Sequence, residues 1–221
     1  MKKQFEDLLE SYYNGLYSAY QQILMNRPDI IIVPLRGGEP LIRGIQLIAS
    51  LERRSSELPM ICFLKIGEIN PEMSGYPVPI HQQDKDRIVR EKLATTFKKI
   101  GKTNLKILLL DEAQYGGSIS KNFQIIERAM KKIGYPDSKL GAIAIAEHKL
   151  QRRPLFKRLV EEKKIFVIPV EKLVTTDRQQ YLLNLIRRGR YSVSIGTSSN
   201  TTHRLNLLSR LEKLHKSHKH I

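Results

Sequence analysis

Apolar residues along this chain fall into two alternating patterns, one with the period of a helix and one unbroken over short runs. Phe5, Leu8, Leu9, Tyr12, Tyr13, Leu16, Tyr20, Ile23 and Leu24 recur at three- and four-residue spacing, which predicts a helix over residues 5–24. Gly15 inside it costs about 1 kcal/mol relative to alanine. Arg27-Pro28 ends it, because the residue before a proline is pushed out of the α region. Ile30-Ile31-Ile32-Val33 is β-branched, apolar throughout and too short for a helix, so it reads as a buried strand. A turn over residues 34–40 and a helix from Leu41 to Leu51 follow. Further strands are expected at Met60–Ile66, Lys106–Leu110, Leu140–Ala146 and Ile165–Val170. Helices fill two of the gaps. One runs from Asp84 to Ile100, and another carries the stripe Ile119, Phe123, Ile126, Met130, Ile133 and stops at Gly134-Tyr135-Pro136. Strands that alternate with helices and are apolar at nearly every position predict an α/β fold, doubly wound, with a mainly parallel five-stranded sheet covered on both faces.

Beyond Val170 the character changes. Thr175-Thr176-Asp177 reads as a helix start leading to Arg187-Arg188-Gly189-Arg190, residues 191–203 as a Ser/Thr-rich linker, and 204–216 as a last helix with Leu207, Leu208, Leu211 and Leu214 on one stripe. The chain therefore divides into an α/β domain, 1–171, and a basic helical extension, 172–221. His215, His218 and His220 fall in its final tract, which reads as a solvated tail rather than a metal site. The long segment 67–83 holds Gly67, Pro71, Gly75, Pro77 and Pro79 without a period. Structureless stretches beyond about 12–15 residues are most often lids, binding loops or linkers.

Composition narrows the functional classes. Forty-one per cent apolar content over 221 residues supports a sizeable core. No run of about 18 apolar residues occurs, so no membrane span is expected. The opening lysines are followed at once by acids rather than by an apolar stretch, so no export signal is read and a cytoplasmic placement is expected. The single cysteine, Cys62, lies in an apolar run and reads as a buried, inert thiol; one cysteine excludes a disulfide framework. The net charge of +16 favours anionic partners: phosphorylated substrates, nucleic acid or an acidic protein.

Chemistry concentrates in two strand-to-helix loops. Residues 107–120, ILLLDEAQYGGSIS, place two acids at the end of a buried strand, two glycines in the turn, and Ser118 in the first turn of a helix. Backbone N–H groups at a helix start bind phosphate readily, and a hydroxyl there adds a donor. Asp111 and Glu112 suit sugar hydroxyls or a Mg²⁺ ion. The other loop is Pro34-Leu35-Arg36-Gly37-Gly38; alone, its RGG triplet reads first as a tight strand-to-helix turn. LLLDEA also looks like the Walker B strand of an ATPase, but the nearest phosphate-loop candidate, Ile100-Gly101-Lys102-Thr103, lacks its first glycine and has no helix of its own.

The longer loop resembles the signature of the type I phosphoribosyltransferase family: a hydrophobic strand, two acids, a hydrophobic residue, variable positions, then glycine and threonine. Asp111 and Glu112 match the acids, Ala113 the hydrophobic position, Gly117 the glycine and Ser118 the threonine. Gln114 fills a variable position, while Tyr115 and Gly116 stand where the family usually has threonine or another small residue. The resemblance implies that Asp111 and Glu112 hold the ribose hydroxyls of phosphoribosyl pyrophosphate, assisted by Mg²⁺, and that residues 113–118 hold its 5-phosphate. It further implies that Arg36, Gly37 and Gly38 bind the pyrophosphate, with Lys65 nearby, and that 67–83 is a flap, or hood. His81 would lie in that flap, and His148 with Lys149 near a base pocket. The implied reaction displaces pyrophosphate from the ribose by a nitrogen of a nucleobase-like acceptor. A rival reading is a non-catalytic regulator of the same fold that binds nucleic acid or a protein partner through the basic extension. A homo-oligomer is expected, dimers being the commonest closed assembly.

Overall fold

The isoleucine run becomes the first strand of a five-stranded, all-parallel sheet, and its neighbours follow from the same logic. The computed structural model describes residues 2–34, 38–64, 82–147, 153–171, 173 and 200–218. Within them the chain runs α1 (Lys2–Asn26), β1 (Ile30–Pro34), α2 (Gly38–Leu51), a short 3₁₀ turn (Ser55–Glu57), β2 (Met60–Leu64), α3 (Gln82–Ile100), β3 (Lys106–Ala113), α4 (Gly117–Lys132), β4 (Lys139–Glu147), α5 (Pro154–Glu161), β5 (Ile165–Val170) and α6 (Asn200–His218). The strands lie in the order β2-β1-β3-β4-β5. Each is parallel to its neighbours. This is an α/β fold with helices on both faces.

Alternation along the strands divides the core in two. Ile31, Val33, Leu108, Leu110, Ile143, Ile145, Ile168 and Val170 face α1, α2 and α6. Ile30, Ile32, Ile107, Leu109, Ala142, Ala144 and Ile165 face α3, α4 and α5. Because each residue on a strand points opposite to the next, apolar side chains at both parities require a cover on both sides. Gly15, a cost to α1 taken alone, is explained by packing: a β-carbon there would lie 2.5 Å from Val170 Cγ1. The helix thus lies directly on β5. Cys62 is buried as expected, and desolvation pushes its thiol up, against a contact to Thr96 Oγ1 at 3.7 Å.

Four expectations are revised. β3 continues through Asp111, Glu112 and Ala113 because those residues pair with Ala144, Ile145 and Ala146 of β4; the acids lie within the strand rather than after it. A helix, α5, occupies Pro154–Glu161, between strands where the apolar pattern predicts no element because Arg153, Lys157 and Arg158 interrupt it. Helix α6 begins at Asn200, inside the stretch read as linker. Its end is no solvated tail up to His218: His215 is 3% exposed, and its Nδ1 shares a 2.7 Å hydrogen bond with the Tyr13 hydroxyl of α1. Leu207 and Leu211 of the same helix are buried with α1 and α2. Residues 67–81 of the flap, with His81, the helix read at 175–190, His148 and Lys149 lie outside the described residues, while Gln82 and Gln83 belong to α3. No described helix is long and apolar enough to cross a membrane.

Candidate functional site

Strand order fixes where a ligand is best placed. β1 lies between β2 and β3, so the chain winds one way from β1 to β2 and the other way from β3 to β5. In open α/β sheets, ligands bind beyond the carboxyl ends of the strands at this reversal. The two loops singled out from the sequence leave the sheet from these two strands. Their ends are also in contact: a β-carbon on Gly38, the first residue of α2, would lie 2.5 Å from the Leu110 carbonyl oxygen of β3. A rigid backbone atom opposes it, so a glycine is what lets α2 start hard against β3. Leu35, Arg36 and Gly37, the rest of that loop, and Lys65 lie outside the described residues.

The longer loop is built around Gly116. Its φ of 76° lies in the left-handed region, and a β-carbon there would sit 2.2 Å from Phe156 Cγ of α5. Conformation and space both demand glycine. The Gly116 carbonyl accepts two bonds from Ser120, from the hydroxyl at 2.6 Å and from the backbone N–H at 3.2 Å, which pins the first turn of α4. Gln114 is half-buried, Tyr115 is 46% exposed, and Ser118 projects to solvent.

Above this turn stands Arg153, a residue that belongs to no motif in the sequence. The Arg153 N–H donates to the Tyr115 carbonyl at 3.0 Å, which ties the start of α5 to the loop. Its side chain covers Gly117: a β-carbon there would be 3.1 Å from Arg153 Nε and 3.2 Å from Cζ. An arginine is thereby held over the amino end of α4, which carries roughly half a positive charge of its own. Two positive poles side by side, both accessible, form an arrangement that an anion relieves.

The paired acids behave differently from one another. Neighbouring strand residues point to opposite faces. Glu112 turns toward α1, accepting from the Tyr12 hydroxyl at 3.3 Å, while Asp111 turns toward α4, where the Asn122 side chain hydrogen-bonds it. Only 3% of Asp111 and 7% of Glu112 is exposed. Burial, and behind it the charge of Glu112, push the Asp111 carboxyl well above its ordinary value, against the opposing pull of the Glu112 N–H and Asn122. Tyr12 is raised as well, by its complete burial and then by Glu112. Carboxylates directed to opposite faces do not fit the joint coordination of one Mg²⁺ ion. Among the described residues no group of three or more His, Cys, Asp or Glu side chains is placed to hold a metal.

Two further participants were not signalled by any motif. Asn122 is buried in the second turn of α4, and Glu147, at the end of β4, accepts from the Leu173 N–H at 3.4 Å. An open groove of about 480 Å³ lined by Asp7, Glu10, Ser11, Asn14 and Pro169 runs along β5 and α1, at the sheet's outer edge rather than at the reversal. No family model, curated protein or solved structure matches the chain.

Proposed function

We infer that the crevice between the ends of β1 and β3 binds the 5-phosphate of phosphoribosyl pyrophosphate and that the protein transfers the phosphoribosyl group to a nucleobase-like acceptor, releasing pyrophosphate. The observation that carries this reading is Arg153 held over the amino end of α4 beside the exposed Ser118. The first backbone N–H groups of α4 and a guanidinium are neighbours there, an exposed hydroxyl stands in the same first turn, and Arg is the side chain best matched to phosphate oxygens. The resemblance of residues 107–120 to the phosphoribosyltransferase signature supplies the sugar and the leaving group. Arg36, Gly37 and Gly38 are assigned to the pyrophosphate in this reading, with Lys65 beside them. Mg²⁺ accompanies the pyrophosphate oxygens of the donor and is not clamped between the two acids.

A second reading, a regulator that keeps the phosphate site without turnover, is favoured by the burial of Asp111 and Glu112 on opposite faces. Two measurements separate the readings. Calorimetric titration with phosphoribosyl pyrophosphate in Mg²⁺ should show binding, and Arg153→Ala should weaken it at least tenfold. Pyrophosphate release with a panel of bases should then occur, and Asp111→Asn with Glu112→Gln should abolish it in a chain that still folds. Binding without release for any base establishes the regulator. Absence of binding refutes both.

A further inference from the structure

The opposite edge of the sheet holds a separate feature. In a parallel sheet all strands begin at one edge, and the helices that lead into them end there. Five helix ends turn into that edge through a left-handed residue. Gly101 and Gly134, with φ of 71° and 86°, end α3 and α4. Glycine is the usual occupant of such a position because it has no β-carbon. At the ends of α1, α2 and α5 the occupants are Arg27, Arg53 and Lys163, with φ of 44°, 57° and 57°. Backbone bonds lock these turns: Arg27 N–H to Ile23 O at 2.9 Å, Arg54 N–H to Ala49 O at 2.8 Å, and Lys164 N–H to Leu159 O at 2.9 Å. All three non-glycine occupants are cations, and all three are exposed.

Stabilisation of the helix dipole does not account for this placement. A cation in the last helical turn gains the same attraction without left-handed strain, as Lys98 and Lys99 do in α3 and Lys131 and Lys132 in α4. Strained residues that persist are a pointer to function. Lys106 and Lys139 add to the charge. They open β3 and β4 as direct ladder partners, both exposed, and like charges side by side repel. Several acids of this edge are already engaged. Asp29 accepts from Lys102 Nζ at 2.6 Å and from the Lys106 N–H at 2.8 Å, Glu57 holds Arg54, and Glu162 holds Lys164 at 2.9 Å. Among the described residues, Arg27, Arg53, Lys106, Lys139 and Lys163 form no ion pair within 4.0 Å, although Lys106 acts on Asp29 and Arg27 on Glu57 from farther away.

We propose that this amino edge docks the sugar–phosphate backbone of a duplex nucleic acid. Five strands about 4.8 Å apart make an edge about 19 Å wide, which spans roughly 11 duplex charges at one per about 1.7 Å of axis. Single-strand binding relies on exposed aromatic platforms. Of the rings described toward this edge, Tyr135 is packed edge-on against Phe97 at 5.0 Å, which leaves Phe166 of β5 as a lone exposed ring rather than a row on which successive bases stack. Membrane surfaces are gripped by an apolar face beside cations. Among the described residues the exposed apolar bulk toward this edge is Met25, Met60 and Phe166, and the last two stand on opposite outer strands rather than on one face. Contact through phosphates alone is independent of sequence and steeply dependent on salt.

The test is fluorescence anisotropy of the full chain with labelled DNA and RNA duplexes and single strands, from 50 to 200 mM salt (about the range over which phosphate contacts are read). Each phosphate contact adds about 0.9 to the slope of log K against log salt. Arg27→Gly with Arg53→Gly and Lys163→Gly should lower that slope by about 2.7 and raise the melting temperature, because the same change removes charge and strain. Lys106→Gln with Lys139→Gln should lower it by about 1.8 without touching a strained position. Phosphoribosyl pyrophosphate should not displace the duplex, since the crevice lies at the other edge. An unchanged slope in both variants overturns the proposal. So does binding to phosphatidylserine–phosphatidylcholine vesicles, or to single strands, more tightly than to either duplex.

Discussion

Asp111 carries a burial penalty that gives it a pH signature of its own. Its folded carboxyl is raised above the ordinary 3.8 by desolvation first and by Glu112 second. The folded chain therefore holds this proton to higher pH than the unfolded chain does. Stability from this group is fully present below about pH 3.9 and is lost as pH rises from there through the folded value. Asn122 and the Glu112 N–H soften the penalty without removing it. Asp111→Asn keeps the shape and an oxygen to accept the Glu112 N–H, and it carries no charge to desolvate. The variant's melting temperature relative to the parent should be lowest near pH 4 and should climb in its favour toward pH 8. A difference that is flat with pH would show that the carboxylate is solvated or paired. A more stable variant that no longer turns over would fit a site where function and stability compete.

At the level of elements, the β3–α4 turn depends on one contact between helices that are distant in sequence. Gly116→Ala imposes left-handed strain of about 1 kcal/mol and drives a methyl into Phe156, with overpacking costing about 1–3 kcal/mol more. Urea unfolding should show a loss of about 2–4 kcal/mol. Adding Phe156→Leu should return part of the overpacking loss and none of the strain, so the two changes will not be additive. The same turn shows what sequence pattern can and cannot disclose. Strands β1 and β5 were legible because an apolar run at both parities has one explanation, burial on both faces. The Gly-Gly pair and Ser118 were legible because turn and helix-start chemistry is local. The end of β3 was not, since two acids look like a strand terminus until β4 is there to pair with them. Helix α5 was masked by the charges around Phe156 and Leu159, although Pro154 stands at its first position, where proline is favoured. Arg153 over Gly117 had no sequence signal, because its neighbour lies in another strand–helix unit.

For the whole molecule, the division at residue 171 is the point most open to measurement. The sequence separates an α/β domain from a helical extension, yet α6 sends Leu207 and Leu211 into the core shared by α1, α2 and the sheet. Its last turn is fixed to α1 twice: His215 shares a hydrogen bond with Tyr13, and the His218 ring stacks on Tyr13 with centroids 5.4 Å apart. Burial, with Tyr17 and Glu52 behind it, pushes the Tyr13 hydroxyl up to about 12, so it remains protonated through the neutral range. If α6 belongs to the fold, a chain ending at residue 199 leaves the α1–α2 face bare. Two fully buried leucines contribute about 3–6 kcal/mol together, a large share of the roughly 5–15 kcal/mol that holds a domain folded. The shortened chain should unfold at markedly lower urea, and Leu211→Ala in the full chain should cost about 2–5 kcal/mol. The crevice proposed for phosphoribosyl pyrophosphate lies at the ends of β1 and β3 beside α2, so any loss of that proposed binding on truncation would follow from the loosening of α2. A shortened chain as stable as the parent would instead make α6 an appended element and restore the boundary at 171.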